Sequence, residues 1–284
     1  MAHFWQDPPP QHVFELSEAG VAYAQGSHTG FRPLPAGALK ASPSADNLVK
    51  MDAAAALVAG IAPGAGSKKN RPAAVLLPDA AARVAVLDFD SFPDSPEDQL
   101  SLVRFRVKKT IPFDIDSAAV SFYRQPGTNC KGKIEVVAVT VALEVLARYE
   151  ALFRNAGFHP GEVTISALSA LNLYSGDEPA ILAKLAGQTL TVMVVAGGKL
   201  KLFRCLPLEE SPHTQAFEEE ILRILYPTFA YAEDELGLPV KRLIVCGLEE
   251  VPKGLPCQAE PLHSKLGVLT AFNAGLLGYL EAAS

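Results

Sequence analysis

The sequence predicts a two-lobed α/β protein built by internal duplication. Each half runs in the order strand hairpin, helix, strand. HVFEL and GVAYAQ, an alanine-rich stretch and AAVLLP make the first half; TLTVMVVA and KLKLFRCLP, a long helical stretch and KRLIVCG make the second. AAVLLP is apolar without alternation, as a central strand covered on both faces requires. Gly197-Gly198 joins two alternating apolar runs, a hairpin signal, because a tight turn needs residues that tolerate positive φ. At 284 residues the chain can bury a sizeable core and suits one to two domains.

Along the chain, residues 12–35 read as the extended runs HVFEL, GVAYAQ and GFRPLP, separated by Ser, Glu and Gly. Asp46 or Asn47 is expected to start a helix with an alanine-rich body at 53–59, ending near Gly60. A solvated loop, PGAGSKKNR, leads to AAVLLP at 73–78, and ARVAVLDF at 82–89 is the next strand.

Residues 92–127 are the most sharply punctuated segment. Ser95 caps a helix with Pro96 at its first position and Glu97 and Asp98 in its first turn. Arg104, Arg106, Lys108 and Lys109 fill its last turns, so acid and base complement the helix dipole. Leu100, Val103 and Val107 share the packing face, and Pro112 forces Ile111 out of helical geometry. An extended segment follows IPFDID.

IEVVAVT at 134–140 is a strand, and Thr140 is expected to cap a helix with Val141, Val145, Tyr149 and Leu152 on one face and Gly157 at its end. EVTI at 162–165 is a strand, and a helix around 166–175 closes the first half. After the Gly197-Gly198 hairpin, Ser211 and Pro212 are expected to open a long helix with Phe217, Ile221, Leu222, Leu225 and Phe229, kinked at Pro227. KRLIVCG reads as a parallel strand. Ser264 is expected to cap a final helix carrying Leu266, Leu269, Phe272, Leu276 and Leu280.

Composition excludes several functions. A net charge of −6 opposes nucleic-acid binding, which needs a basic footprint. No apolar run reaches the ~18 residues of a membrane-spanning helix, and MAHFWQDPPP lacks the basic and apolar regions of a signal peptide. Cys130, Cys205, Cys246 and Cys257 are scattered without a C-x-x-C pair and read as reduced thiols; the histidines form no zinc pattern. GIAPGAGSKKN lacks P-loop spacing and precedes a strand instead of following one. Asp88, Asp90, Asp94, Glu97 and Asp98 lack calcium-loop spacing, and a helix start explains the last two.

The layout of a basic helix end running into IPFDID resembles the inserted subdomain of the PilM family, the actin-like proteins of type IV pilus assembly. The matching residues are Glu97, Arg104, Phe105, Ile111, Pro112, Phe113, Asp114 and Gln125. The resemblance implies an actin-like (RNase H-like) two-lobed α/β fold. It divides the chain into a first lobe over 1–81 and 159–178, an inserted strand-helix-strand-strand-helix subdomain over 82–158, and a reduced second lobe over 179–284.

An ATP-using member of that fold needs two hairpin turns that cradle phosphates and organise magnesium, and a glycine-rich turn for the adenosine. The first turn falls on Glu15-Leu16-Ser17-Glu18-Ala19-Gly20, where the close-approach glycine is missing. The second falls on Lys184-Leu185-Ala186-Gly187-Gln188-Thr189, with Lys184 where the resemblance implies a magnesium-organising Asp. The third falls on Cys246-Gly247-Leu248-Glu249-Glu250. The covering subdomain usual between Leu208 and the long helix is reduced to Glu209 and Glu210.

The resemblance therefore implies a degenerate, non-enzymatic actin-like scaffold with no cofactor and no metal. The alternative is an active ATPase with divergent loops, holding ATP and magnesium through Glu15, Ser17, Gly187, Thr189 and Gly247. The implied partner is the cytoplasmic N-terminal tail of a PilN-like bitopic inner-membrane protein, with other pilus platform or motor proteins beside it. That tail would meet Arg104, Phe105, Ile111, Phe113, Asp114 and Ile115. The implied location is cytoplasmic and peripheral to the inner membrane, serving a type IV pilus or a related type II secretion platform.

Overall fold

The computed structural model describes residues 10–44, 46–61, 71–129 and 131–283. The start MAHFWQDPP, residues 62–70 with most of the expected PGAGSKKNR loop, and Cys130 lie outside the described residues.

Two five-stranded sheets share one topology. The first is ordered β3-β2-β1-β4-β8, from β1 (His12–Leu16), β2 (Gly20–Gln25), β3 (His28–Pro33), β4 (Arg71–Leu77) and β8 (Phe158–Ile165). The second is ordered β11-β10-β9-β12-β13, from β9 (Ala180–Ala186), β10 (Thr189–Ala196), β11 (Lys199–Pro207), β12 (Arg242–Cys246) and β13 (Gln258–Pro261). In each, an antiparallel three-strand meander continues into two parallel strands on its first strand's free side. Gly197 and Gly198 sit at φ 57° and 67° in the β10–β11 turn, the left-handed pair the sequence required.

Strand alternation distributes the core. Ala73, Val75 and Leu77 of β4 face α1 (Met51–Ile61) and α3 (Leu143–Asn155), while Ala74 and Leu76 face Leu276 of α6 (Ala274–Ala282). β4 is thus covered on both sides, as its unbroken apolar run predicts. In the second sheet, Ile181, Ala183 and Leu185 pack on α5 (Gln215–Asp234), which runs unbroken through Pro227.

A third sheet, β5-β7-β6, consists of β5 (Arg83–Phe89), β6 (Ala118–Thr128) and β7 (Ile134–Ala142), with α2 (Pro96–Val107) on one face. Its other face, with Val84, Val86 and Val137, packs on Leu200 and Phe203 of β11. Gln125 of β6 exchanges two 2.8 Å hydrogen bonds with the Leu200 backbone, and Lys201 meets Glu135 at 2.6 Å. This insertion therefore braces the second lobe. α3 has its buried face, Val145, Tyr149, Leu152 and Phe153, in the first-lobe core.

Several boundaries differ from the sequence expectation. Asn47 starts no helix; its side chain closes on the Ser42 backbone and accepts from Tyr149 Oη at 3.0 Å, so α1 begins at Met51. Ser95 caps α2 as expected, but Leu100 is exposed, and α2 ends before Pro112, with Thr110 Oγ1 donating to the Val107 carbonyl. Thr140 caps nothing, because ladder pairing with β6 carries β7 on to Ala142. The helix at 166–175 is α4 (Ser166–Ala170) followed by a 3-10 turn, Leu171–Leu173.

Thr214, not Ser211, caps α5, accepting from Phe217 N at 3.1 Å. Ser264 bonds the Glu281 carboxylate instead of starting a helix, and Leu266 is exposed. α6 waits until Ala274 because Asn273 closes the preceding turn onto Thr270 N and Val268 O. β9 and β13 were not expected: Lys184 breaks the apolar pattern of one, and the other is a four-residue edge strand.

Candidate functional site

In open α/β sheets ligands collect at the carboxyl ends of parallel strands. Here those ends meet between the lobes. Glu15 lies one residue before the end of β1, Asp79 follows β4 in a 3-10 turn (Asp79–Ala81), Ser166 follows β8, and Lys184 lies near the end of β9. Alternation explains the convergence: Ala180, Leu182 and Lys184 share the β9 face turned away from α5, and Glu15 shares with Val13 the face turned toward α6.

These groups form one buried network. Lys184 Nζ donates to Asp79 Oδ2 at 2.9 Å, with the two side chains 5% and 3% exposed. Thr191 Oγ1 donates to the same oxygen at 2.9 Å, and Ala167 N to Asp79 Oδ1 at 2.7 Å. Glu15 accepts from Ser166 Oγ and, at 2.7 Å, from Leu276 N. Burial pushes the Glu15 carboxyl up; the Lys184 charge and the Ser166 and Leu276 donors pull against it. Burial also opposes the Lys184 ammonium, but the Asp79 and Glu15 carboxylates outweigh it and hold that pKa above the usual lysine value.

The two hairpin turns face each other across this network. Ser17 Oγ closes the first by bonding the Gly20 backbone. Gly187 makes the second at φ 61°, and Glu18 reaches toward it while accepting from Ala41 N at 3.1 Å. Thr189 begins β10 at the cavity's edge. The space among Glu15, Ser17, Glu18, Asp79, Lys184 and Thr189 is only ~20 Å³, on the scale of the about 10–15 Å³ that one water needs and far below a phosphate chain.

On the second-lobe side a cavity of ~260 Å³ opens among Leu185, Gly187, Phe217, Gly247 and Phe272, with Glu218, Glu249 and Glu250 among its lining residues. Gly247 has φ 76°, and a Cβ there would lie 2.1 Å from the Leu185 carbonyl. Close packing on β9 thus accounts for this glycine. On the other side a hollow of ~710 Å³ lies between the 36–43 loop, Arg83, Gln188 and Cys205.

The lobes also touch through α4 and α6. Cβ atoms on Gly275 and Gly278 would collide with Ser166 and with the Ser169 carbonyl, so only glycine allows this approach.

Two sheets of identical strand order, joined at the carboxyl ends of their parallel strands, define the architecture. The fold is actin-like. A structure of the PilM–PilN type IV pilus biogenesis complex superposes with a TM-score of 0.66 over 90% of this chain and 89% of that one, at 15% identity. The cytoplasmic domain of EpsL, an inner-membrane component of the Vibrio cholerae type II secretion system, gives a TM-score of 0.58 over 95% and 93%, at 14% identity. No protein-family profile matches the chain, nor does any curated sequence.

In this actin-like frame the residues named from sequence divide. Glu15, Ser17 and Thr189 come together around the buried network, and Gly187 and Gly247 both line the ~260 Å³ cavity. Asp79, Ser166 and Thr191, central to the network, went unnoticed in the sequence; the available signal was an acid placed directly after an apolar central strand.

On the insertion, Arg104 is spent internally, donating to Ile115 O at 2.7 Å and pairing with Asp116 at 3.1 Å. Ile115 is buried, Ile111 and Phe113 pack half-buried on the insertion core, and Asp114 caps a 3-10 turn. Phe105, 71% exposed, stands free of that core. Among the described residues no group of His, Cys, Asp and Glu is arranged for a metal ion, and no helix is long and apolar enough to cross a membrane.

Proposed function

We propose that this chain is a non-catalytic actin-like scaffold of an inner-membrane assembly platform, of the type IV pilus or type II secretion kind. The observation that carries this reading is the buried Lys184 ammonium, held by Asp79 at the point between the hairpins where magnesium triphosphate would need space and a free carboxylate. Three features disfavour the nucleotide together. The central cavity of ~20 Å³ is too small for phosphates. A fixed cation occupies the metal's electrostatic role, and Glu18, Glu249 and Glu250 present like charge to a polyphosphate. ATP and magnesium do not fit these residues, and we read Glu15, Ser17, Gly187, Thr189 and Gly247 as structural.

The retained function is docking, at the periphery of the inner membrane. The likeness to the PilM–PilN complex supports a PilN-like partner, and we take the docked part to be the cytoplasmic N-terminal tail of a bitopic inner-membrane protein. The exposed Phe105 ring on α2 offers an apolar anchor for an extended peptide, and the separate ~710 Å³ hollow, lined by Lys40 and Arg83 as well as Glu18, is a second open surface. Residues 82–158 act as the docking unit, anchored in the first-lobe core through α3, with Arg104 and Ile115 holding its shape and Phe105, Ile111, Phe113 and Asp114 nearer the partner. We divide the remainder into 1–81 and 159–178 as one lobe and 179–284 as the other, with α6 crossing back to pack on the first sheet.

Isothermal calorimetry with ATP–Mg²⁺ is expected to give no saturable heat; micromolar binding would refute the scaffold reading in favour of an ATPase. Phe105→Ala is expected to abolish co-purification of the membrane partner without changing Tm. Undiminished capture would remove Phe105 from the docking surface.

A further inference from the structure

The ~260 Å³ cavity on the second lobe is not explained by the buried network or by docking through the insertion. Its floor is apolar: Leu185 from β9, Phe217 and Ile221 from α5, Leu248 after β12, and Phe272 before α6. Its ionisable lining is Glu218, Glu249 and Glu250, with His213 3.7 Å from the Glu249 carboxylate; no lysine or arginine lines it. Glu218 also complements the N-terminal dipole of α5, whereas Glu249 and Glu250 are exposed at the rim and have no helix end to serve.

The wall facing the glutamates is held in place by its own interactions. Glu220 accepts from the backbone of both Glu209 and Glu210, and Thr214 Oγ1 donates to the Ser211 carbonyl. Between these ties His213 sits at φ 65°, the only non-glycine at positive φ among the described residues. Such strain persists where surrounding structure over-determines it, and it clusters at ligand sites. The volume falls just below the ~300–1,000 Å³ of drug-sized pockets, which suits a compact ligand or one side chain.

We infer that this cavity binds a compact organic cation, an ammonium or guanidinium group on an apolar body, with the body on the Leu185–Phe217–Phe272 floor and the charge between Glu249 and Glu250. The inference rests on the reading that nucleotide binding is gone. The cation is either a free metabolite or a basic side chain presented by a peptide, two sources with the same chemistry.

The test is an amide NMR titration of the full chain with agmatine, with the peptide acetyl-Leu-Arg-Leu-amide, with the neutral analogue N-butylacetamide, and with ATP–Mg²⁺. Saturable shifts confined to Gly187, Leu248 and Phe272 are expected with the two cationic probes, and the tighter of these identifies the source. In Glu249→Gln/Glu250→Gln the affinity is expected to fall about tenfold, from two exposed charges acting at close range. The same spectra report whether the variant is folded.

Equal binding of N-butylacetamide, shifts scattered beyond the cavity, no saturable shifts with either cation, or an unchanged affinity in a folded double variant would each overturn the site. If both cationic probes fail and ATP–Mg²⁺ also fails, the cation site alone falls. Tight ATP–Mg²⁺ binding at Gly247 would overturn the scaffold reading with it.

Discussion

Lys184→Met tests the interlobe network most directly. The substitution keeps the length of the side chain and removes its charge, leaving Asp79 with Thr191 and Ala167 as donors and Glu15 with Ser166 and Leu276. The lysine and Asp79 side chains are 5% and 3% exposed, so solvent screens their interaction little. Deleting one partner of a buried pair costs about 3–5 kcal/mol, against a total stability of about 5–15 kcal/mol. Urea denaturation at pH 7 is expected to show a loss in this range, with Tm lowered by roughly 10 °C on the usual scaling for a chain of this size.

The pH dependence sharpens the test. Glu15 has a folded pKa above its unfolded value, so its ionisation makes stability fall as pH rises through that interval. Removing the Lys184 charge lifts the Glu15 pKa further and widens the interval, so the deficit of the variant should shrink from pH 7 toward pH 5. In the wild type the Lys184 contribution is complete below the unfolded lysine pKa and is lost as pH rises through the higher folded value, an alkaline loss that the variant lacks. A deficit below about 1 kcal/mol, the scale of an exposed pair, would refute the argument, as would a deficit unchanged between pH 5 and 7.

Three further outcomes are expected. Gly278→Ala should destabilise by about 1–3 kcal/mol through the collision with the Ser169 carbonyl, whereas Gly60→Ala on α1, with open space around it, should be neutral or stabilising by up to about 1 kcal/mol in the same melts. Gln125→Ala leaves the Leu200 N–H and carbonyl without their 2.8 Å partners, at about 1–3 kcal/mol for each buried group, and amide exchange at Leu200 should accelerate relative to the β9 core. Burial pushes the Cys205 thiol to about 12 and Cys246 to about 11, so at pH 8 the buried Cys246 should resist a disulfide reagent until the chain unfolds, Cys205 at the edge of the hollow should react slowly, and Cys257 should react ahead of both.

Much of the architecture was legible because strong local patterns agree with it. The apolar runs of β4 and β12, the Gly197-Gly198 turn and the Ser95 cap carry their own geometry in the residues themselves. Helix starts were less legible. Asn47, Thr140, Ser211 and Ser264 are all residues that cap helices, yet each is recruited by something else: a buried Tyr149 hydroxyl, a strand ladder, the Thr214 side chain and the Glu281 carboxylate. A hydroxyl or amide has one local use in the sequence and several competing ones in space.

The same limit applies to the candidate site. Sequence alone determined a duplicated α/β chain with an inserted unit, Lys184 standing where an acid was implied, and a second lobe without a long covering segment. Only the tertiary structure decided that Lys184 is paired, because its partner Asp79 lies over a hundred residues earlier and meets it where strands from the two sheets end. It also decided that Arg104 is a brace and that Gly247 serves packing on β9. Charge and residue type are local properties of a chain, whereas pairing, burial and the space left for a ligand arise only when distant segments are brought together.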